Sequence, residues 1–590
     1  MCTSPTCNHK SNKEPKETVS HRDQSRRTFF RQGSLLAAGA MLPSSIVSGI
    51  GTDIDYKKAM LNTQAVRNKK AQVITILHTS DIHAQLHTHD EFFWENGKAV
   101  FKKRGGFAVL KTMLQTLRKQ NPENTLLIDG GDCFQGGGVA ALTNGRGIVP
   151  MVNHIGYDLI LPGNWEVVYG KEAMWRDLGG YKSNKICANM YHDTQDEFKG
   201  ELIFPPYWIK NIGGIKIGFI GYNDPMTPKR QSPAYSQGIT FTKPESNVSK
   251  YIKLLKEYEQ CAMVFLVTHM GLAQQVDLAN KPEVQGIDYI LGADTHERVR
   301  IPISGKYTKV TEPGAFGSFV SRLDIIIENG KVKDHHYELL DVDPKKYQAD
   351  KEMLAIIEEQ RAPFRNELDK VIGSSRETLL RYYVIENPID NMLTDALMWK
   401  YEKDGIDIVL SNGFRFCPPL VVDEETGLAN ITNDYLWSMF PVNSEVKRAI
   451  VSGKQIWDWM EKELNNVFAT NPAQRFGGWV IRFKGMTVNF TIQNEMGKRV
   501  NHILIKDKPI NPESNYHILA CEREGDPNDT LCRIEKVSNP IKTGHLMHDI
   551  VREYLAKHSP VSPKIEGRAV ATDAPSTLLS QLEGYDYVFR

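Results

Sequence analysis

Ligand-type side chains follow predicted strands at several separated places, and this recurrence constrains the fold more than any other feature of the sequence. The apolar, β-branched run at residues 73–77 leads into Asp81 and His83. Because successive strand side chains alternate between the faces of a sheet, Asp81 and His83 are expected to point the same way and bind one cation together. The same design, a strand followed by a small-residue turn and a polar side chain, recurs at 126–132, 159–164, 264–269 and 289–296.

Length and charge exclude several classes of protein. With 590 residues, of which 41% are hydrophobic, the chain is long enough for two or more domains with ordinary cores. The 72 basic and 71 acidic residues leave a net charge of +1, so we predict no nucleic-acid partner and expect a small-molecule substrate. The eight cysteines match neither a zinc pattern nor a disulfide framework. A bridge between Cys521 and Cys532 stays open, but free thiols are favoured.

The N-terminal residues 1–50 are predicted to be an export signal. Residues 25–30 read Ser-Arg-Arg-Thr-Phe-Phe, which is typical of a twin-arginine signal, and residues 33–50 are only mildly apolar. This segment is too short and too polar to remain in a membrane. Since no other run approaches 18 apolar residues, the sequence predicts a periplasmic protein without a transmembrane anchor.

A strand, a helix and a second strand follow one another at residues 73–77, 107–119 and 125–129. This alternation predicts an α/β layered domain, which we place at residues 70–342. Ligands of such sheets gather beyond the carboxyl ends of the strands, where glycines at 130, 131 and 163 let the backbone turn tightly.

A change in composition marks the end of this domain. Residues 345–370 are highly charged with apolar residues at helical spacing, which predicts a linker helix. Strand and helix signals then continue through a second domain at residues 371–557. The remaining tail, residues 558–590, is uninformative.

The residues at the predicted strand ends form a chemically coherent set. They combine carboxylate, amide and imidazole groups, which together bind Zn, Mn or Fe. Two cations roughly 3.5–4 Å apart could share Asp132 as a bridge, lower the pKa of bound water and neutralise an oxyanion, so no side-chain nucleophile is needed for hydrolysis. The predicted metal ligands are Asp81, His83, Asp132, Asn164, His269, Asp294 and His296.

The same segments resemble the calcineurin-like metallophosphoesterases of the periplasmic 5'-nucleotidase family, over residues 70–557. The resemblance implies a four-layer α/β/β/α catalytic domain, a linker helix and an α+β C-terminal substrate-recognition domain. It also implies two divalent metal ions, Mn or Zn, and hydrolysis of phosphate esters of nucleotides or related anions. The motifs that carry it are Asp81-Ile82-His83, Gly130-Gly131-Asp132, Gly163-Asn164, Thr268-His269 and Thr295-His296.

Motifs of the second domain extend the resemblance to substrate binding. By resemblance, Arg415 contacts the anionic end of the substrate, bidentately if it is a phosphate, carboxylate or sulfonate; an interdomain salt bridge is the alternative role. A nucleotide base would lie between two aromatic rings, for which Phe440 with Phe476 or Trp479 are candidates unless these rings belong to the core. The predicted substrate-binding residues are Asn412, Gly413, Phe414, Arg415, Phe440 and Phe476.

Two positions depart from the nucleotidase pattern. Nucleotidases of this family carry Gly-Asn-His-Glu followed two residues later by Asp, and this His–Asp pair stabilises the transition state. Here Asn164 is followed by Trp165, and Val168 stands in place of the Asp; an indole cannot exchange a proton at neutral pH. Asp294 replaces a histidine ligand, which favours harder ions such as Mn. We therefore take Asn164, Trp165 and Arg415 as the catalytic positions.

These departures favour a second hypothesis. Residues 129–136 and 165–170, with Phe414-Arg415, resemble the thiosulfohydrolase of bacterial sulfur oxidation, an exported dimanganese enzyme that hydrolyses a sulfonate from a sulfur carrier protein. The histidine of that branch at the position of Asn164 is absent. A non-catalytic binding protein is a third hypothesis, which the nearly complete ligand set opposes. The hydrolase of 5'-nucleotidase type is the favoured interpretation.

Overall fold

The computed structural model describes residues 71–411, 417–475, 478–580 and 582. The predicted export signal lies outside these residues. So do five predicted substrate-binding residues, namely Asn412, Gly413, Phe414, Arg415 and Phe476.

The strand that leads to the first ligands lies inside a six-stranded sheet. Ala71–Thr79 pairs in parallel with Thr125–Asp129 and antiparallel with Phe319–Glu328. Its apolar, β-branched sequence suits a strand covered on both faces, and Ile74 and Leu77 are fully buried. The strands follow one another across the sheet in the order Lys331–Asp341, Phe319–Glu328, Ala71–Thr79, Thr125–Asp129, Leu159–Ile160 and Asn184–Lys185.

A second six-stranded sheet packs face to face with the first. In its strand Met263–His269, Phe265 and Val267 join the core of the first sheet, whereas Val264 and Leu266 pack with the outer helices. This alternation places one sheet face inward and the other outward. The strand order is Ile303–Ser304, Lys309–Thr311, Tyr289–Leu291, Met263–His269, Ile215–Asn223 and Tyr207–Ile212.

Helices cover the outer face of each sheet, so the predicted four-layer α/β/β/α arrangement is confirmed. None of the helices in the described ranges is long and apolar enough to cross a membrane. Two small antiparallel pairs, His89–Glu95 with Lys98–Arg104 and Met190–His192 with Ile239–Phe241, complete the domain. The helices are Phe107–Gln120, Gly138–Thr143, Val149–Ile155 and Lys171–Gly180 on the first sheet and Val248–Lys253 and Leu272–Ala279 on the second.

The linker helix is shorter than the predicted span 345–370. It runs over Lys351–Arg361, and the side chain of Asp350 caps its start by accepting a hydrogen bond of 2.8 Å from the Met353 N–H. Pro363 has no N–H to continue the helix. The chain therefore passes through the 3₁₀ turn Ala362–Phe364 into the separate short helix Arg365–Leu368.

The second domain has the predicted α+β composition. A five-stranded and a four-stranded sheet form its centre, and the helix Gly453–Phe468 starts at a capping box between Ser452 and Gln455. The other helices are Pro388–Lys400, Asn433–Met439 and Met547–His558. The strands are Arg482–Lys484, Ile408–Ser411, Asn515–Cys521, Glu445–Ser452 and Ser538–Leu546 in the larger sheet, Lys508–Pro509, Val500–Ile505, Met486–Phe490 and Ala569–Ala571 in the smaller one, and the separate pair Val371–Ser375 and Ala429–Thr432.

The chain beyond residue 557 contributes to this domain. The strand Ala569–Ala571 pairs in parallel with Met486–Phe490, and the buried Arg568 donates to Thr394 over 2.7 Å and to Asp395 over 2.6 Å. A strand of three residues is too short to show a periodic pattern in the sequence. The domain thus extends past the boundary drawn at residue 557.

The cysteines of the described residues are free thiols, among them Cys521 and Cys532. Cys532 is buried and Cys521 is half-buried.

Candidate metal centre

The first two ligand residues lie beyond their strand, in a loop. The strand ends at Thr79, and Asp81 and His83 adopt left-handed backbone conformations with φ of 54° and 50°. The Asp81 N–H donates to the Gly131 carbonyl over 2.8 Å, and the His83 N–H donates to the Asp132 carbonyl over 2.9 Å. The predicted alternation along a strand was therefore wrong; these hydrogen bonds to the neighbouring loop position the two side chains.

The other ligand loops have the same unusual backbone. Asp132, Asp294 and His296 have φ of 62°, 89° and 64°. Gly131 lets two loops approach closely, since a Cβ at this position would lie 2.4 Å from the Gly163 nitrogen. Sparsely populated backbone conformations that cluster in this way are a feature of functional sites.

Asp81, His83 and His296 form a first group of ligand atoms, all within 4.8 Å of one another. The Nε2 atoms of His83 and His296 are 3.0 Å apart, and His296 Nε2 lies 3.5 Å from Asp81 Oδ1. His83 Nδ1 is 3.0 Å from the Gln135 carbonyl, and donation to that oxygen would leave Nε2 free to bind a metal.

Asp81, Asp132 and His269 form a second, completely buried group. His269 Nε2 lies 3.0 Å from Asp132 Oδ2 and 3.8 Å from Asp81 Oδ1. Its Nδ1 lies 2.8 Å from the Gly130 carbonyl, which orients the ring. Asp132 Oδ2 is also 3.8 Å from His83 Nε2. Asp81 thus belongs to both groups, and Asp132 lies between the two histidines.

Asn164 and Asp294 lie beside the second group without joining it. The Asn164 amide donates to Asp294 Oδ1 over 2.7 Å and accepts from Gln231 Nε2 over 3.0 Å. Asp294 Oδ1 is 3.8 Å from His269 Nε2. The structure therefore brings all seven predicted ligands to one place, with five of them in the two groups.

The electrostatics of these groups fit bound cations. Burial by itself would raise the pKa of Asp81, but His269, His296 and His83 outweigh burial and lower it. Burial would lower the pKa of His269, whereas Asp132 and Asp81 raise it. Within the described residues, Asp81 Oδ1 and His269 Nε2 make no hydrogen bond. Buried polar atoms without a hydrogen bond are suited to binding a metal ion. The mixture of oxygen and nitrogen atoms in these groups suits a divalent ion such as Zn or Mn.

Glu166 holds two of the ligand loops together. Its carboxylate accepts hydrogen bonds from the N–H groups of Asp132 over 2.9 Å, Cys133 over 2.7 Å and Gly163 over 2.5 Å. No role was predicted for this residue from the sequence. A glutamate two residues after a predicted ligand, in a turn that is otherwise apolar, is the signal that could have identified it.

Arg230 is the most important residue at the site that was not predicted from the sequence. Its Nη1 forms an ion pair with Asp294 Oδ2, and its Nε lies 3.2 Å from Asp224 Oδ2. Burial disfavours the charged guanidinium, but Asp224 and Asp294 outweigh burial and raise the pKa of Arg230. The preceding strand ends at Asn223 and is followed directly by Asp224, which repeats the design of the other ligand strands.

A cleft between the two domains opens onto the metal centre. On the side of the first domain it is lined by Asp132, Asn164, Trp165, Arg230, Asp294 and His296, among others. Phe440, Val442, Trp479 and Ile481 line it on the side of the second domain. Of the two predicted aromatic partners within the described residues, Phe440 is buried and Trp479 borders the same cleft.

The second domain also contacts the segment that carries Arg230. The Arg523 guanidinium donates to the carbonyl of Lys229 over 2.9 Å and to the carbonyl of Gln231, and the Ala234 N–H donates to the Glu524 carbonyl over 3.2 Å. One wall of the metal centre is therefore fixed by residues of both domains.

Comparisons with known proteins agree with this architecture. Residues 74–298 match the calcineurin-like phosphoesterase family, and residues 371–521 match the 5'-nucleotidase C-terminal domain. The chain is 26% identical over 542 residues to the trifunctional nucleotide phosphoesterase protein YfkN of Bacillus subtilis, with 84% of this chain but only 34% of YfkN aligned. It is 23% identical over 540 residues to a 5'-nucleotidase of Vibrio parahaemolyticus, with 83% of this chain and 90% of that protein aligned.

Two solved structures share the fold of the whole two-domain unit. The sulfate thiohydrolase SoxB of Thermus thermophilus superposes with a TM-score of 0.75 at 21% identity, covering 86% of this chain and 98% of that one. A 5'-nucleotidase precursor of the same species superposes with a TM-score of 0.73 at 21% identity, covering 85% of this chain and 100% of the precursor. With both family matches and the ligand geometry in agreement, the chain belongs to the 5'-nucleotidase family of calcineurin-like phosphoesterases and is a metallophosphoesterase-type hydrolase.

Proposed function

We propose that this chain is an exported, metal-dependent hydrolase that cleaves phosphate esters of nucleotides or related small anions. The observation that carries the proposal is the pair of buried Asp and His groups that share Asp81 and face an interdomain cleft. The B. subtilis and V. parahaemolyticus relatives are named a nucleotide phosphoesterase and a 5'-nucleotidase. Residues 70–342 would perform the chemistry, and the domain that begins at residue 371 would recognise the substrate.

Two divalent cations, Mn or Zn, would be held by the seven predicted ligands. When bound, such cations neutralise charge on a phosphoryl group and lower the pKa of a water molecule. Asp132, between His83 and His269, is the proposed bridging residue. The extra carboxylate of Asp294, in place of an imidazole, favours the harder Mn ion. Asn164 would fix the orientation of Asp294 through its hydrogen bond, and Gln231 would hold Asn164 in turn.

The substrate would enter the cleft with its anionic group toward the ligands. Trp479 lines the opposite wall, where an aromatic base can stack and exclude water. Phe440 is only 3% exposed and belongs to the core of the second domain. The other proposed substrate-binding residues lie outside the described ranges. They are Asn412, Gly413, Phe414, Arg415, which would contact the anionic end of the substrate, and Phe476.

A substrate panel tests the proposed activity. The purified chain, loaded with Mn or with Zn, would be assayed with nucleoside monophosphates, sugar nucleotides and a small thiosulfonate. We expect phosphate release from at least one nucleotide, lost on chelation and restored by the metal. Sulfate release from the thiosulfonate alone would favour the second hypothesis. If no substrate turned over although one was bound, the chain would be a binding protein.

The second candidate, hydrolysis of an S-sulfonate on a sulfur carrier protein, rests on Trp165. Trp165 follows the predicted ligand Asn164 and borders the cleft. The backbone N–H of Trp165 donates to Asp132 Oδ1 over 2.7 Å. Val168 is buried, and its N–H closes the same turn by donating to the Trp165 carbonyl over 3.0 Å. Neither the Trp165 nor the Val168 side chain can exchange a proton at neutral pH. A standard nucleotidase mechanism would therefore lack its His–Asp pair.

The variant Trp165→His with Val168→Asp is expected to raise nucleotide hydrolysis about tenfold. A positioned electrostatic helper is worth roughly 10²–10³ in rate, but Arg230 already places a positive charge at the same cleft. The kcat of the variant and of wild type, measured at equal metal content, checks the gain. Trp165→Phe serves as the matched control, because it keeps an aromatic ring without a titratable group. A variant that loses thiosulfonate hydrolysis and gains no nucleotide hydrolysis would support the second candidate.

Export by the twin-arginine route is proposed from residues 25–30. Since this route depends on the arginine pair, replacing Arg26 and Arg27 by Lys is expected to leave the protein in the cytoplasm. Fractionation of cells that express either form would test the proposal. Unchanged export of the double-lysine form would show that the segment is not such a signal.

A further inference from the structure

We propose that Arg230 is a catalytic residue of this site, which binds the anionic group of the substrate with one guanidinium nitrogen while another holds Asp294. The inference deepens the proposed function and rests on it for the identity of the reaction. Arg230 remains protonated throughout and acts by charge and hydrogen bonding alone.

Arg230 lies at the end of the cleft that holds the predicted metal ligands. Its guanidinium borders the same cleft as Asp132, Asn164 and Trp165. Through Asp294 it is joined to the ligand set, because Asp294 Oδ2 pairs with Arg230 while Oδ1 accepts from Asn164. A substrate oxyanion that approached these ligands would therefore meet the guanidinium as well.

Charge supports the same role. Three carboxylates, those of Asp81, Asp132 and Asp294, surround His269. Their negative charge opposes the binding of a phosphate, and Trp165 beside them carries no charge. Arg230 supplies a permanent positive charge at this place, and a guanidinium N–H donates a strong, charge-assisted hydrogen bond to a phosphoryl oxygen.

One nitrogen of the Arg230 guanidinium is available to a ligand. Nη1 pairs with Asp294, and Nε faces Asp224. Among the described residues, Nη2 has no hydrogen-bond acceptor, although the side chain is only 14% exposed. A charged donor without an acceptor at the wall of a cleft is suited to a ligand.

The segment that carries Arg230 is also held rigidly. Gln231 donates to the ligand Asn164, and Arg523 of the second domain donates to the carbonyls on either side of Arg230. A donor fixed before the substrate arrives needs no reorganisation during the reaction, which is the condition for effective electrostatic catalysis.

The test compares Arg230→Met with Arg230→Lys and with the neighbouring control Lys229→Met, whose side chain is exposed. We expect Arg230→Met to lower kcat/KM about 10²-fold and to raise the Kd for inorganic phosphate, measured by calorimetry on the metal-loaded protein, at least tenfold. Arg230→Lys keeps the positive charge, so its kcat/KM and its phosphate affinity should lie between those of Arg230→Met and wild type. The control should match wild type.

Arg230 could instead have a purely structural role and only hold Asp294 for the metal. The double variant Arg230→Met with Asp294→His distinguishes this role from the proposed one. This double variant restores a histidine ligand that needs no partner. Under the proposal its metal content returns to the wild-type value, but its turnover and phosphate affinity stay low. The proposal would be overturned if the double variant recovered both turnover and phosphate affinity. It would also be overturned if Arg230→Met bound phosphate as tightly as wild type.

The binding measurement also keeps the two proposals apart. If the wild type hydrolysed no phosphate ester, the proposed function would fail. A weaker affinity of Arg230→Met for inorganic phosphate would then still support Arg230 as the anion-binding residue, and equal affinity would refute it.

Discussion

Replacing Asp132 by Ala is expected to remove both metal ions and to lower the hydrolytic rate by about 10⁴-fold or more. Asp132 Oδ2 lies 3.0 Å from His269 Nε2 and 3.8 Å from His83 Nε2, so one carboxylate serves both groups of ligands. Each tenfold in rate corresponds to about 1.4 kcal/mol, and two cations supply several kcal/mol of charge stabilisation in the transition state. Metal analysis of the purified variant, together with kcat/KM, measures the effect.

The control for this experiment is Asp334→Ala, which removes an exposed carboxylate from a strand at the edge of the first sheet. It should keep two ions per chain and the wild-type rate. Full metal occupancy in Asp132→Ala would disprove the two-ion arrangement. Loss of one ion with the other retained would move the bridging role to Asp81, which belongs to both groups.

Glu166→Ala is expected to cause the second large loss, in stability as well as in metal binding. The variant removes the acceptor for three backbone N–H groups in the two ligand loops. A buried donor left without an acceptor costs about 1–2 kcal/mol, so the free energy of unfolding should fall by roughly 3–6 kcal/mol. Because Asp132 and Asn164 lie in these loops, metal affinity should fall as well. Chemical denaturation with and without added metal measures both quantities.

Glu166→Gln is the matched control. Its amide keeps one oxygen acceptor in almost the same volume, so it should lose about half as much stability as Glu166→Ala. Equal stability of Glu166→Ala and wild type would show that the loops keep their conformation without this carboxylate. A loss that was equally large in both variants would instead assign the effect to the charge of Glu166.

Much of this architecture was predictable because the ligands follow strands whose burial is clear in the sequence. The run before Asp81 and the run before Asp132 are apolar and β-branched, and a parallel sheet places their ends side by side. The resemblance to a known family then supplied the layer order and the second domain. Asp81 and His83 were assigned to the site correctly, but for a wrong geometric reason.

The residues that were missed depend on contacts between distant segments. Arg230 reaches Asp294, 64 residues later, and is positioned by Arg523 of the second domain. No local pattern encodes such a contact. The linker helix was overestimated because helical spacing continues past Pro363, where the backbone cannot follow it.

The left-handed backbone at the ligand positions limits which metals this protein can evolve to bind. Asp81, His83, Asp132, Asp294 and His296 all have positive φ, a conformation that Asp, Asn and His tolerate better than other side chains. A change of ligand to Cys or Glu would have to overcome the strain of the loop as well as reshape the coordination. At these five positions the backbone therefore favours Asp, Asn and His, and adaptation to another ion is easier by exchange among these three residue types.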